Sequence, residues 1–262
     1  MIDLATLLFY NFKGGVGKTT LSVMAADHLS RKGKKVLVVD LDAQASATNF
    51  LEKTYKEVTP MRPLVDSLNS GSLKESICNV SDNLDLLPSD WDMAHWNEIA
   101  ERAPIRERNL ILSRLLEPLK GRYDYIIIDV PPTLSTLVNN AVLASDFVVL
   151  VFQTQSSSLD GIQHTISYLS QLQRDYQAKF ALLGIVLYLV SKRDQADISV
   201  AKQAEEIFKD QKDIFFENPI YQRARVKHWA TFGITHNAKD VHDRKTHQMY
   251  SNVFNEVLKR MR

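Results

Sequence analysis

The chain has 262 residues, 32 Lys+Arg against 31 Asp+Glu, a 45% hydrophobic fraction and one cysteine. Its length supports a substantial core, and its apolar and charged fractions exclude long disorder, collagen-like repeats and low complexity. One cysteine, Cys78, excludes an internal disulfide and a Cys-rich metal centre and suits a reducing compartment, while the net charge of +1 points to no partner.

Residues 4–11 form a mostly apolar run that reads as a buried strand. It lacks a basic n-region and leads into a glycine-rich loop, so it is not a signal peptide. Residues 19–31 follow with helical spacing (Leu21, Ala25, Leu29) and end at Gly33, a C-cap. Further strands are expected at 35–40, 84–87, 123–129, 147–152 and 180–190, with a late strand near 214–216. Helices are expected around 92–102, 105–119, 136–144, 159–176 and 196–208. Residues 52–83 carry Pro60, Pro63 and only a short helical pattern near 64–68.

Short apolar strands alternating with helices predict an α/β fold: a mostly parallel twisted sheet with helices on both faces. The scattered prolines and the lack of a linker predict a single domain over 1–262. The longest apolar run, 180–190, is about half of the ~20 residues that a membrane-spanning helix needs. Ligands of such sheets bind at the carboxyl ends of strands, here the loops after Asn11, Asp40 and Asp129.

The first of these loops carries Lys13-Gly14-Gly15-Val16-Gly17-Lys18-Thr19-Thr20 between a predicted strand and a predicted helix. Glycines let successive backbone N–H groups turn inward around phosphate oxygens, and the helix start adds its positive dipole end. Lys18 supplies charge to the β/γ-phosphates, Thr19 a hydroxyl to Mg²⁺ and Thr20 a donor to the α-phosphate. The general P-loop motif has glycine where this chain has Phe12, and a second lysine, Lys13, heads the loop. Asp40, Asp42 and Asp129 end or follow strands beside it, where Mg²⁺ needs hard oxygen ligands.

The KGGVGKTT pattern resembles the deviant Walker A motif of the ParA/MinD family of P-loop ATPases. Val38-Val39-Asp40-Leu41-Asp42-Ala43-Gln44 resembles the family's D-x-D-P-Q motif, with Ala43 in place of proline. Asp124 to Pro132 (DYIIIDVPP) resembles its Walker B strand and switch, and Leu84 to Ser89 its LDLIPS segment. The resemblance runs from Leu7 to about Gly233 and is most specific through Pro132. It implies ATP hydrolysis with Mg²⁺ in a deviant Walker A P-loop fold, with Thr19, Asp40 and Asp129 serving the metal and Asp42 orienting the attacking water. Lys13 would reach the partner's phosphates in an ATP-bound homodimer, with Gly14 allowing close approach. Pro219 would line the adenine pocket.

The family includes DNA segregation ATPases, membrane-cycling division regulators and iron–sulfur reductases. The last need paired cysteines and are excluded. The closing segment, 243–262, is a basic amphipathic helix; its family position predicts a packing helix rather than a membrane tail. Residues 218–262 hold nine Lys+Arg against three acids, a charge of +6, leaving −5 on residues 1–217. Arg223, Arg225, Lys227 and Lys245 in this region are candidates for sequence-independent contact with double-stranded DNA phosphates. His228, His236, His242 and His247 share the region, but their spacing fits no standard metal-ligand set. The first strand begins close to the N-terminus, so no helix-turn-helix domain is expected before it, and a ParB-like partner would supply sequence specificity. The expected role is DNA partition from the nucleoid-associated cytoplasm of a prokaryote, with a MinD-like positioning ATPase as the alternative.

Overall fold

The computed structural model describes residues 4–154, 159–191, 194–211 and 213–262. Its centre is an eight-stranded sheet in the order β3-β4-β2-β5-β1-β6-β7-β8. The strands are β1 (Ala5–Tyr10), β2 (Val36–Asp40), β3 (Cys78–Ser81), β4 (Leu84–Leu87), β5 (Tyr125–Asp129), β6 (Phe147–Gln153), β7 (Ala181–Val190) and β8 (Ile220–Tyr221). All neighbours are parallel except β3, which pairs antiparallel with β4 at the edge.

The apolar continuity of the strands has a direct cause. All six residues of β1 are buried, and their alternation sends Leu8 and Tyr10 into one core and Leu7 and Phe9 into the other. The first core lies under α3 (Leu64–Ser70), α4 (Trp96–Glu101), α5 (Ile111–Leu116), α6 (Thr136–Ala144), α7 (Leu159–Tyr176) and α8 (Gln195–Ile207). The second lies under α1 (Lys18–Arg31), α2 (Ser46–Thr54), α9 (Ala224–Phe232) and α10 (Val241–Arg260). Neither sheet face meets water, so neither needs polar residues. Each fully buried aliphatic residue, such as Ile126 to Ile128 on β5, contributes about 2 kcal/mol of transfer free energy.

The predicted helices 136–144 and 159–176 and strand 84–87 coincide with observed elements. Three expectations change. The helix over 105–119 contracts to α5 and a following 3-10 turn, because Pro104 and Pro118 interrupt the pattern and Ile105 is 77% exposed. The strand near 214–216 is only a bridge between Phe215 and Ile185. There Arg260 donates to the carbonyls of Leu183, Asp213 and Phe215 and takes over much of the work of a ladder. The paired strand is instead β8, after Pro219. Finally, α2 forms where the sequence predicts no helix, and it proves central to the site.

The closing helix α10 behaves as the packing helix expected of it. Met249, Tyr250, Val253, Phe254 and Val257 are buried in the second core, and Asp240 caps its N-terminus by accepting from the His242 and Asp243 N–H groups. Among the described residues, no helix is long and apolar enough to cross a membrane.

Candidate functional site

Three adjacent strands, β2, β5 and β1, end side by side, with Asp40 in register with Asp129. That order brings the loop after β1 and the two carboxylates to one edge of the sheet. The loop is anchored by Asn11, whose Nδ2 donates to the Val151 carbonyl at 2.7 Å and whose Oδ1 accepts the Lys13 N–H at 2.9 Å. Gly15 and Gly17 take φ of 74° and 97°, open to glycine at little cost. A side chain at Gly17 would also collide with the Tyr188 ring.

The loop's Lys18 is buried, and its Nζ donates to the Lys13 carbonyl at 3.1 Å. Burial lowers the Lys18 pKa, with Asp129 and Asp42 opposing the shift. Thr19 donates to Asp129 Oδ2 at 2.7 Å, and Ser22, one turn along α1, donates to Oδ1 at 3.0 Å. Asp129 is fully buried; burial and the neighbouring Asp40 charge push its pKa up. Burial also raises Asp40. Two buried carboxylates in register favour a cation between them and the loop.

Asp40, expected among the metal ligands, uses both oxygens internally. Oδ2 accepts from the backbone and hydroxyl of Thr48 at 2.9 Å each, and Oδ1 from the Asp42 N–H at 3.1 Å. It therefore positions Asp42 and the first turn of α2. Asp42 Oδ1 accepts from the Gln44 N–H at 3.0 Å, and Asp42 lines a cavity of about 720 Å³. That cavity is lined by Gly15, Gly17, Lys18, Thr19, Thr20 and Asp42 from the predicted set. Ser46, Asn49 and Lys53 of α2, Pro132 after β5 and Ala230 of α9 complete the part of the wall that matters here. Gly14 lies against Pro132, and Val16 is buried in the second core. Pro219 stands at the head of β8, outside this lining.

The residues fit a nucleotide triphosphate with magnesium. Two glycines in left-handed backbone open the cradle, Lys18 supplies the cation, and Thr19, Asp129 and Asp42 offer hard oxygens. Phe12, the departure from the general motif, is accommodated by a second glycine: its ring lies where a side chain at Gly161 of α7 would stand.

The basic candidates separate. Lys227 and Lys245 are exposed. Arg225, expected to face DNA, is held inside the chain by Asp240 at 2.5 Å and Asp243 at 3.1 Å and is 22% exposed. Arg223 precedes α9, half-buried. Sequence reasoning missed Ser22, Thr48 and the whole of α2. Ser22 had a signal, lying one helical turn from Thr19 on the same face; Thr48 had none, because its partner is reached through the tertiary turn after Asp42.

A sequence-family profile described as an AAA domain matches residues 5–182. The sporulation initiation inhibitor protein Soj of Bacillus subtilis is 35% identical over 202 residues, covering 76% of this chain and 78% of Soj. The chromosome-partitioning ATPase Soj of Thermus thermophilus is 30% identical over 226 residues, covering 86% and 84%. An ATP complex of a McdA variant from Cyanothece superposes with a TM-score of 0.84 at 20% identity, over 98% of this chain and 97% of that one.

Proposed function

The chain belongs to the ParA/Soj family of P-loop ATPases and is an ATPase working with ATP and Mg²⁺; from that premise we propose that it segregates DNA in the nucleoid-associated cytoplasm of a prokaryote. The ATP-bound protein forms a homodimer, binds double-stranded DNA without sequence preference, and releases it when a ParB-like partner stimulates hydrolysis. The relative that carries the reading is named a chromosome-partitioning ATPase.

Within the site, the loop amides of residues 14–17 and Lys18 bind the phosphates, and Thr20 donates to the α-phosphate. Thr19 and Asp129 hold magnesium, with Asp40 positioning the Asp42 turn. Magnesium held there would neutralise phosphate charge. Asp42 orients the attacking water from the cavity wall, and Lys13 serves the partner protomer's phosphates. On its inner side the loop is backed by Val16 and the Tyr188 ring.

The reading that nucleotide controls DNA binding is supported by the position of α9. This helix bears Lys227, packs on α2 and lends Ala230 to the wall of the nucleotide cavity. The nucleotide cavity and the exposed basic surface thus share one helix, and ATP shifts the population towards the binding-competent form. Fluorescence anisotropy with a DNA duplex of arbitrary sequence tests this. Affinity appears with ATP, is absent with ADP and falls steeply with salt; equal affinity without nucleotide, or ATP-dependent flotation with liposomes in place of DNA binding, overturns it.

A further inference from the structure

Behind the nucleotide loop, at the far end of α1, the fold gathers three side chains that sequence spacing keeps apart. Asp27 comes from the last turns of α1, His236 from the loop after α9, and His247 from α10. Each offers a ligand atom within 4.8 Å of the other two. The Asp27 side chain is 2% exposed and that of His236 25%. We propose that Asp27, His236 and His247 form a binding site for a divalent transition metal of the Zn²⁺ class, separate from the magnesium site.

The local chemistry is that of a ligand set. Asp27 is a buried carboxylate that no Lys or Arg pairs with among the described residues. Its Oδ1 accepts from Tyr55 at 2.8 Å and meets His236 Nε2 at 2.9 Å, and no hydrogen bond among the described residues falls on Oδ2. His247 Nε2 donates to the Thr235 carbonyl at 2.8 Å, which leaves Nδ1 as the lone-pair nitrogen. A carbonyl on the far nitrogen is the usual means of fixing the tautomer of a metal-bound histidine.

The two imidazoles lie nearly parallel, 4.5 Å apart, and Trp229 covers the His247 ring at 4.5 Å. A neutral imidazole keeps one lone-pair nitrogen, so the two rings can serve one metal ion together. A cavity of about 220 Å³ opens beside them. His28 also lines it, with Nε2 buried and lacking a hydrogen-bond partner. Ligand atoms around a tetrahedral zinc stand about 3.3 Å apart, so small side-chain rotations suffice, and all three residues line the cavity. Two nitrogens and one carboxylate suit zinc and its neighbours, not magnesium or calcium, which take oxygen.

Such an ion fastens α1, whose first turn carries Lys18 and Thr19, to α10 and the loop that follows the basic helix α9. Thr235, the carbonyl partner of His247, also receives the Trp229 indole N–H on its hydroxyl and donates to Asp243, the partner of Arg225. The metal site is thus continuous with the contacts that set α9 on the core.

The test is calorimetric titration of the nucleotide-free, EDTA-stripped full chain with ZnCl₂ in excess Mg²⁺. One saturable equivalent per chain and a raised Tm are expected. His236→Gln and His247→Gln should each weaken zinc affinity on the order of tenfold or more, and His228→Gln, outside the cluster, should leave it unchanged. Absence of a saturable site, or unchanged affinity in the His236 and His247 variants, overturns the proposal. X-ray absorption at the zinc edge of the wild-type chain needs no variant to fold. A shell containing two imidazole nitrogens at about 2.0–2.1 Å supports the site, and a shell of water oxygens alone overturns it.

Discussion

The ring of Tyr188 near the end of β7 occupies the space into which a side chain at Gly17 would project. The same tyrosine shares a buried 3.0 Å hydrogen bond with Tyr250 of α10. The nucleotide loop is therefore shaped from beneath by β7, two places from β1 in the sheet, not by its glycines alone. Gly17→Ala meets both a φ of 97° and this ring. It should abolish ATP binding, and adding Tyr188→Ala should fail to restore it, because the backbone penalty remains. Binding of a fluorescent ATP analogue measures both.

Tyr188→Phe removes one hydroxyl and leaves the buried Tyr250 hydroxyl without that partner. The expected cost is about 1–3 kcal/mol of stability, read by urea denaturation, with nucleotide binding retained.

Asp129 and Asp42 should fail differently. Asp129→Asn removes the carboxylate that Thr19 and Ser22 hold beside the loop. Magnesium-dependent hydrolysis should fall by at least about 10²-fold. Asp42→Ala should keep ATP affinity and lose turnover, trapping the ATP-bound dimer in size-exclusion chromatography. Normal hydrolysis by Asp42→Ala would refute its water-orienting role.

Charge on the C-terminal surface divides by burial. Lys227→Ala with Lys245→Ala should weaken DNA binding uniformly across sequences and flatten the salt slope by nearly two phosphate contacts. Arg225→Ala should act mainly on stability. It removes the cation beside Asp243, whose side chain is 2% exposed and keeps its Thr235 and Asn237 donors, and partial exposure of the arginine limits the cost to roughly 1–3 kcal/mol. Thermal melts and anisotropy titrations of the two variants separate these effects.

Asp240 accepts from the His242 and Asp243 N–H groups at the start of α10, and these bonds hold its pKa below the ordinary carboxylate value. A depressed folded-state pKa gives stability that is present above the unfolded value and lost as pH falls through the folded one. Asp240→Ala should lower Tm at neutral pH, and its difference from wild type should shrink in acid.

The strand–loop–helix around Lys13–Thr20, the fold class and the helices α6 and α7 were legible because each rests on local demands. A phosphate loop needs glycines and a helix start in contiguous sequence, and a sheet covered on both faces needs unbroken apolar strands. The strand expected near 214–216 failed for the opposite reason: Arg260, more than forty residues later, holds the carbonyls of Asp213 and Phe215.

The balance of charge follows the same division. Sequence by itself determined that the last 45 residues carry +6, and that a glycine-rich loop ending in Lys18 and Thr19 lies between an apolar strand and a helix, with aspartates at the ends of other strands. Only the tertiary structure decided that Arg225 is spent on Asp240 and Asp243, that Asp40 serves Thr48 and Asp42, and that His236 and His247 meet Asp27. Hydrogen bonds and ion pairs act over about 3 Å of space. The packing of α1, α9 and α10 on one sheet face, rather than spacing along the chain, sets which groups come that close.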